Sequence, residues 1–224
     1  GNLTSTGGAA TTAYFFYGTS DGGAAWGGWG FTNNIGVSAT GLKTNAVSGL
    51  NQGTTYYYRF YATNSAGQAW ASAASNFTTL APEMDVLGTN LASIADGDAS
   101  PTAAKGTDFG EVAVASTKDH IFSITNIGSA TLYLTGSPVV AVGGTHAADF
   151  SVISQPSPTN VSASDKVTFT VRFTAGATGL REANLSIANS DNDENPYNFN
   201  IQGTGTAAAT APVITNSAPT GVVS

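Results

Sequence analysis

The sequence predicts an all-β protein built from two β-sandwich domains in tandem. Apolar and polar residues alternate with a period of two along many short segments, which is the pattern of half-buried strands. Gly, Asn, Pro and Ser separate these segments, and no window shows convincing helical periodicity. A chain of 224 residues suits two domains, since domains usually have about 100–200 residues each.

The first predicted domain covers residues 1–80. Residues 13–17 predict a strand, residues 21–29 a Gly-rich loop, and residues 35–39 a second short strand. The clearest strand begins near residue 55, where side chains alternate between two faces. The face expected in the core carries Tyr56, Tyr58, Phe60 and Ala62. The face expected toward solvent carries Tyr57, Arg59 and Tyr61.

The most informative motif of this domain lies in residues 50–67. It consists of Leu, a turn, Thr-x-Tyr, an alternating strand and Ala-x-Asn-x-x-Gly, and it resembles the fibronectin type III family. Residues 77–79 match the closing strand of that family, whereas Gln52 stands where proline is usual. The resemblance implies an immunoglobulin-like sandwich in which Tyr56 is a buried corner tyrosine that hydrogen-bonds a nearby backbone group.

The second predicted domain covers residues 81–207 and is expected to be an antiparallel sandwich. Apolar alternation recurs at Phe122/Ile124, Leu132/Leu134, Phe150/Val152, Val167 to Phe173, Leu185/Ile187 and Phe199/Ile201. The sequence of this domain also resembles the choice-of-anchor D domain of large bacterial surface proteins, which is similar to the immunoglobulin-like ASPM/SPD-2/Hydin group. The segments that carry this resemblance are residues 82–86, 94–98, 106–110, 122–128 and 189–205. This resemblance implies a long, secreted, cell-surface bacterial parent protein.

Residues 208–224 predict a linker followed by the first strand of another sandwich. Residues 1–8 predict the second strand of a sandwich, with no first strand before it. We therefore expect one period of a tandem array, in which the tail completes the first domain of the next repeat. Two arrangements remain open: the next repeat follows in the same polypeptide, or a separate subunit accepts the tail.

Composition narrows the classes of partner. The net charge is −7 and only 7 residues are Lys or Arg, which argues against nucleic acid because phosphate binding needs clustered basic residues. No apolar run approaches the roughly 20 residues of a membrane-spanning helix. The chain has no cysteine, which excludes disulfides and thiolate metal sites.

One acidic constellation predicts a calcium site. Asp191, Asp193 and Asn195 copy the opening of an EF-hand loop, but Pro196 replaces the glycine that such a loop requires, so an EF-hand is excluded. A site at the end of the sandwich remains, in which a second acidic turn supplies Asp96 and Asp98. The alternative is that these Asp and Asn side chains only cap turns through local hydrogen bonds.

Catalysis is not expected. His120 and His146 stand apart in the sequence, and no cysteine or G-x-S-x-G element offers a nucleophile. The sequence also offers an aromatic platform that could bind sugar, formed by Trp26, Trp29, Phe31, Tyr57 and Tyr61. The alternative is that these rings pack in the core or against a neighbouring module.

The expected function is that of a structural repeat in an extracellular bacterial fibre, stalk or adhesin-like surface protein. Neighbouring copies of the chain are its expected partners. The competing expectation is a glycan- or protein-binding accessory module of a secreted protein.

Overall fold

A computed structural model describes residues 1–209, 212 and 214. The chain divides into two compact units, the first ending at Ala81 and the second beginning at Pro82. Within the described residues, no helix is long and apolar enough to cross a membrane. The predicted strand in the tail, residues 208–224, lies outside the described residues apart from residues 208, 209, 212 and 214.

The first unit is a five-stranded sheet with a smaller two-stranded pair. Its strands are β1 (Asn2–Leu3), β2 (Thr12–Gly18), β3 (Phe31–Val37), β4 (Gly41–Leu42), β5 (Thr55–Asn64), β6 (Gly67–Trp70) and β7 (Ser75–Thr78), and a 3₁₀ helix spans Trp26–Gly28. The large sheet has the order β3-β2-β5-β6, with β7 pairing the beginning of β5, and β1 pairs with β4. The strand predicted at residues 35–39 begins earlier than expected, at Phe31.

The large sheet of the first unit buries aromatic side chains on both faces. Tyr56 is buried as predicted, at 4% exposure, on the face that also carries Phe15. The prediction that Tyr61 faces solvent is wrong, because Tyr61 is 6% exposed and packs with Phe16 and Trp29 in a second cluster. The loop between β2 and β3 brings Trp26 and Trp29 onto that second face and covers it.

The second unit is a sandwich of two larger sheets. Its strands are β8 (Met84–Leu87), β9 (Ser93–Ile94), β10 (Asp108–Ala113), β11 (Thr117–Asn126), β12 (Leu132–Tyr133), β13 (Val140–Gly143), β14 (Phe150–Ser154), β15 (Asn160–Val161), β16 (Lys166–Thr174), β17 (Gly179–Ile187) and β18 (Tyr197–Thr206), with a 3₁₀ helix at Ala147–Asp149. One sheet has the order β14-β16-β11-β8-β9 and the other the order β10-β18-β17-β13, while β12 pairs with β15.

Every alternating segment predicted in this unit lies in a strand or at its end and contributes to one core. The fully buried aromatic residues of that core are Tyr197, Phe109, Phe122, Phe169, Phe173 and Phe199. The pairing is antiparallel except between β10 and β18, which run parallel, so the expectation of a purely antiparallel sandwich is wrong at that edge. A parallel pair requires a long connection, and here β11 to β17 provide it.

Two glycines in β18 permit close packing against the core. A Cβ atom at Gly205 would lie 1.9 Å from the carbonyl oxygen of Ala177, and one at Gly203 would lie 2.4 Å from the ring of Phe173. Neither distance is compatible with a side chain. The last strand therefore approaches its neighbours more closely than any other residue type would allow.

Candidate metal centre

The candidate site is built on the connection between β17 and β18, residues 188–196. Asn189 is buried and organises this loop from within. Its amide nitrogen donates to the carbonyl oxygens of Ile187 (3.1 Å) and Glu194 (2.9 Å), and its amide oxygen accepts the backbone N–H of Asp191 at 2.7 Å. Asn195 adds a further bond by accepting the backbone N–H of Asn189 at 3.1 Å. These local bonds fix the loop and hold its acidic residues in place.

Three carboxylates converge beside this loop. Asp191, Asp193 and Glu83 each offer a carboxylate oxygen within 4.8 Å of the others. Asp191 is buried, and its Oδ2 accepts the backbone N–H of Met84 at 2.8 Å, which connects the loop to the beginning of β8. Glu83 and Asp193 are exposed. The cluster therefore has one buried and two solvent-facing members.

Burial and mutual repulsion raise the pKa values of two of these carboxyl groups. Burial, followed by the charges of Asp191 and Asp193, raises the pKa of Glu83. Burial also raises the pKa of Asp191; the hydrogen bond from the backbone of Met84 opposes this shift, and the side chain of Asp193 adds to it. A like charge close by disfavours the ionised form of each carboxyl group. Binding of a proton or a cation would relieve this repulsion.

Glu194 follows Asp193 in the loop and is influenced by the same acidic residues. Burial raises the pKa of this carboxyl group to about 7, and the charges of Asp191, Glu83, Asp96 and Asp193 add to the shift. Its Oε2 atom is buried and has no hydrogen-bond partner among the described residues. A neutral carboxyl group or a nearby cation would relieve this arrangement.

The structure separates the remaining predicted ligands. Asp96 lies close enough to influence Glu194, but its Oδ1 accepts the backbone N–H of Asn198 at 2.7 Å. Asp98 forms an ion pair with Lys105 at 2.5 Å and caps the turn at Ser100. Asn195 uses its side-chain oxygen within the loop. Of the five predicted residues, Asp191 and Asp193 are the two that converge with a third carboxylate.

Glu83 was not anticipated from the sequence. Its neighbour Met84 lies 107 residue positions before Asp191, and nothing in the residues that flank Glu83 signals a ligand. Its proximity follows from the bond between Asp191 and the backbone N–H of Met84, the residue next to Glu83. A pattern within one loop carries no information about such a long-range neighbour.

The chemistry of this donor set fits a hard cation. Ca²⁺ takes six to eight oxygen ligands from carboxylates, carbonyl groups and water. Glu83, Asp191 and Asp193 supply carboxylate oxygens from two separate segments of the chain. A cation held by all three would join the loop to the first strand of the second unit.

The residues of the expected aromatic platform, and the two histidines, lie in several different surroundings. Trp29 and Tyr61 are buried in the cluster on one face of the first sheet, while Phe31 stacks on Tyr17. His120 stacks on Phe109, and its Nδ1 contacts the carbonyl oxygen of Gly106 at 2.6 Å. His146 accepts the backbone N–H of Glu182 at 2.9 Å. The aromatic residues therefore do not form one continuous platform.

Comparison with known proteins gives a family match within the second unit. Residues 103–204 match the family model described as a HYDIN/CFA65/VesB-like, Ig-like domain. A solved structure of a protein of unknown function from Porphyromonas gingivalis W83 has a TM-score of 0.40 and 11% identity, over 85% of this chain and 84% of that one. The secreted serine protease VesC from Vibrio cholerae has a TM-score of 0.39 and 11% identity, over 88% of this chain and 46% of the protease.

A third solved structure is similar over a shorter range. The ASH/PapD-like domain 7 of human CEP192 has a TM-score of 0.33 and 13% identity, over 46% of this chain and 81% of that domain. No curated protein gives a significant match. The family match and the two-sheet pairing agree for the second unit. The protein is an all-β chain of immunoglobulin-like β-sandwiches.

Proposed function

We propose that this chain is a structural repeat of an extracellular bacterial fibre, stalk or surface protein, and that its tail completes the first domain of a neighbouring repeat. The finer family assignments belong to this proposal: a fibronectin type III-like first unit and a choice-of-anchor D-like second unit. Both rest on the sequence motifs described above.

The observation that carries the proposal is the uneven layering of the first unit. A five-stranded sheet is matched by a pair of strands of two residues each, Asn2–Leu3 and Gly41–Leu42. A sandwich buries both inner faces only when its two layers are of comparable extent. An added strand beside β1 would extend the smaller layer, and such a strand is what a tandem neighbour would provide.

The separate cores of the two units suit a serial array. The buried cluster of the first unit centres on Phe16, Trp29 and Tyr61, and that of the second unit comprises residues from Met84 to Ile201. Modules with their own cores that contact mainly their neighbours gain stability as a sum of modules and junctions. A low content of charged residues, 9%, and a net charge of −7 suit a surface that repels other acidic surfaces.

The carboxylate cluster has a supporting role in this proposal. Calcium bound by Glu83, Asp191 and Asp193 would hold the loop against the beginning of β8. Calcium sites of extracellular modules have dissociation constants of about 10⁻⁴–10⁻³ M, which suits partly exposed carboxylates. The second unit would then be stiffer in a calcium-containing medium than in its absence.

A second candidate function is glycan or protein binding by an accessory module. Phe31 is 57% exposed, stacks on Tyr17, and borders a cleft of about 290 Å³ that Ser48 and Asn51 also line. Exposed aromatic rings beside polar groups are a common basis for ligand recognition. Phe31→Ala would abolish glycan or protein capture under this alternative and would leave fibre formation unchanged under the first proposal.

Electron micrographs of the native assembly, identified with antibodies against this chain, test the first proposal. We expect labelled filaments or stalks with a regular axial repeat. Isolated globular particles would contradict it. Denaturing gel electrophoresis of the same material separates the two arrangements of the repeats, because a giant chain indicates covalent continuity and a band near 22.5 kDa indicates separate subunits.

A further inference from the structure

We propose that a groove of the first unit, between β1 and β6, binds the tail of another copy of this chain, residues 212–224, which adds a short β-strand from one side of the bend at Pro219. This inference deepens the proposed function and rests on it, because it specifies where the neighbouring repeat engages. All the residues that line the groove belong to the first unit. Its occupant is a segment that lies largely outside the described residues.

The walls of the groove are two strand edges. Within residues 1–81, β1 pairs with β4 on one side and β6 pairs with β5 on one side, so that each leaves its other edge open. The space between them has a volume of about 270 Å³ and is lined by Leu3, Phe60 and Ala69 among others. Open strand edges carry unpaired backbone groups, which are the usual template for strand addition.

The floor of the groove is a row of three small side chains. Ala13 pairs with Ala62, and Ala62 pairs with Ala69, so the three lie side by side across β2, β5 and β6 on one face of the sheet. Small side chains leave room for another backbone to approach. The neighbouring positions of the same face carry large rings instead, including Phe15 and Phe60, which bound the row at one end.

Exposure along this face shows that its cover is incomplete at the alanine row. Phe15 and Tyr56, elsewhere on the same face, are buried at 5% and 4% exposure. Exposure rises along the row, from Ala13 at 3% through the half-buried Ala62 to the exposed Ala69. The face is thus open where it borders the free edge of β6.

The tail has the chemistry that this groove requires. Residues 208–224 contain no Asp, Glu, Lys or Arg and carry the β-branched residues Val213, Ile214, Val222 and Val223. Ile214 is 90% exposed, so its side chain is not buried against the described part of its own chain. An uncharged β-branched segment is suited to pair with an open edge and to place alternate side chains on an apolar floor.

Cysteine cross-linking tests the site directly, because the native chain has no cysteine. Two double variants of the full chain are prepared, Ala69→Cys with Ile214→Cys and Ala69→Cys with Val222→Cys. Ala69 and Ile214 are exposed, so these changes leave the cores intact. After mild oxidation, we expect at least one variant to give a ladder of disulfide-linked multimers on a denaturing gel.

The matched control moves the acceptor cysteine to the other face of the sheet. Ala24 is also exposed but lies in the loop that packs on the cluster around Phe16, and we expect at least tenfold less cross-linking from Ala24→Cys. An excess of a synthetic peptide of residues 208–224 should suppress the ladder. The same peptide with Ile214→Asp and Val222→Asp should not.

Three results would overturn the proposal. Cross-linking confined to single chains would show that the tail occupies the groove of its own chain. A ladder of equal strength from Ala24→Cys would show random collision, and the absence of cross-linking in both double variants would show that the tail does not occupy the groove. None of these results bears on whether native assemblies are filaments, and globular native particles together with a specific ladder would overturn only the fibre function.

Discussion

Removing the hydroxyl group of Tyr56 should destabilise the first unit selectively. This hydroxyl accepts the backbone N–H of Asn51 at 3.1 Å, and the residue is 4% exposed. Tyr56→Phe retains the ring, which stacks on Phe77 with centroids 5.9 Å apart, and removes only the hydrogen bond. The loss should cost about 1–2 kcal/mol, because the net value of one hydrogen bond is about 1 kcal/mol and the abandoned N–H adds a desolvation penalty.

The first unit offers a convenient signal for this measurement. The three tryptophans of the chain, Trp26, Trp29 and Trp70, all lie within residues 1–81, so tryptophan fluorescence follows the unfolding of that unit. For a domain of this size, 1 kcal/mol corresponds to a change in Tm of about 4–8 °C. We therefore expect Tyr56→Phe to lower the fluorescence-detected Tm by at least 4 °C.

The adjacent residue is the matched control. Tyr57 is half-buried on the opposite face of β5, and Tyr57→Phe removes the same atom from the same strand. We expect its Tm to stay within about 2 °C of the native value, since substitutions away from buried hydrogen bonds usually change stability by less than 0.5 kcal/mol. Equal changes in both variants would show that the hydroxyl of Tyr56 has no special role at this corner.

Three further predictions concern the second unit, with calorimetry as the measurement. Calcium at 100 times its dissociation constant should add about 2.7 kcal/mol to the stability of this unit, compared with the same protein in EGTA. Asp193→Asn should abolish this gain, and the control variant Glu111→Gln, at an exposed residue outside the cluster, should retain it. An unchanged Tm of the native chain on adding calcium would rule out the site. Because the pKa of Glu194 is raised from 4.5 to about 7, the folded unit binds more protons than the unfolded chain in that interval, and its stability falls as pH rises through it. Glu194→Gln should therefore raise Tm at pH 8 and leave it unchanged near pH 4; a lower Tm at pH 8 would contradict this. Gly205→Ala should lower the free energy of unfolding by about 1–3 kcal/mol, because the new Cβ would lie 1.9 Å from the carbonyl oxygen of Ala177. The control variant Thr204→Ala should be close to neutral. Similar losses of stability from both variants would argue against the steric cause.

The strands of the second unit were largely predictable because each combines a clear period of two with one buried face. In β16, Val167, Phe169, Val171 and Phe173 alternate with polar residues, and all four are buried. The short strand β13 lacks such a run and was not predicted. Alternation identifies a strand when one of its faces is uniformly apolar, but a four-residue strand gives too few positions to establish the pattern.

The orientation of β5 was only partly predictable for a related reason. Tyr56 and Tyr61 lie on opposite faces and are both buried. A period of two separates the faces of a strand but does not say which is covered when both carry aromatic residues. The cover on the Tyr61 face comes from Trp26 and Trp29, whose position depends on how their loop folds back.

The candidate metal centre was predictable in its local half. Asp191 and Asp193 belong to one short loop, and their proximity follows from their spacing. Glu83 joins them through tertiary packing, and Asp98 is diverted by Lys105, a contact that sequence spacing did not suggest. Loop chemistry is local and can be recognised in a sequence, whereas a coordination sphere assembled across strands depends on the finished fold.

The position of the last strand has a consequence for the order of folding. β18 lies between β10 and β17 in its sheet, and the side chain of Gln202 bonds Asp108 across 94 residue positions. A chain that emerges from its amino end can form the β11–β16 pairing early, but β10 has no partner in its sheet until residues 197–206 arrive. Contacts between residues so distant in sequence form slowly. During synthesis this unit therefore stays incomplete until β18 has been made, and its sandwich closes only then.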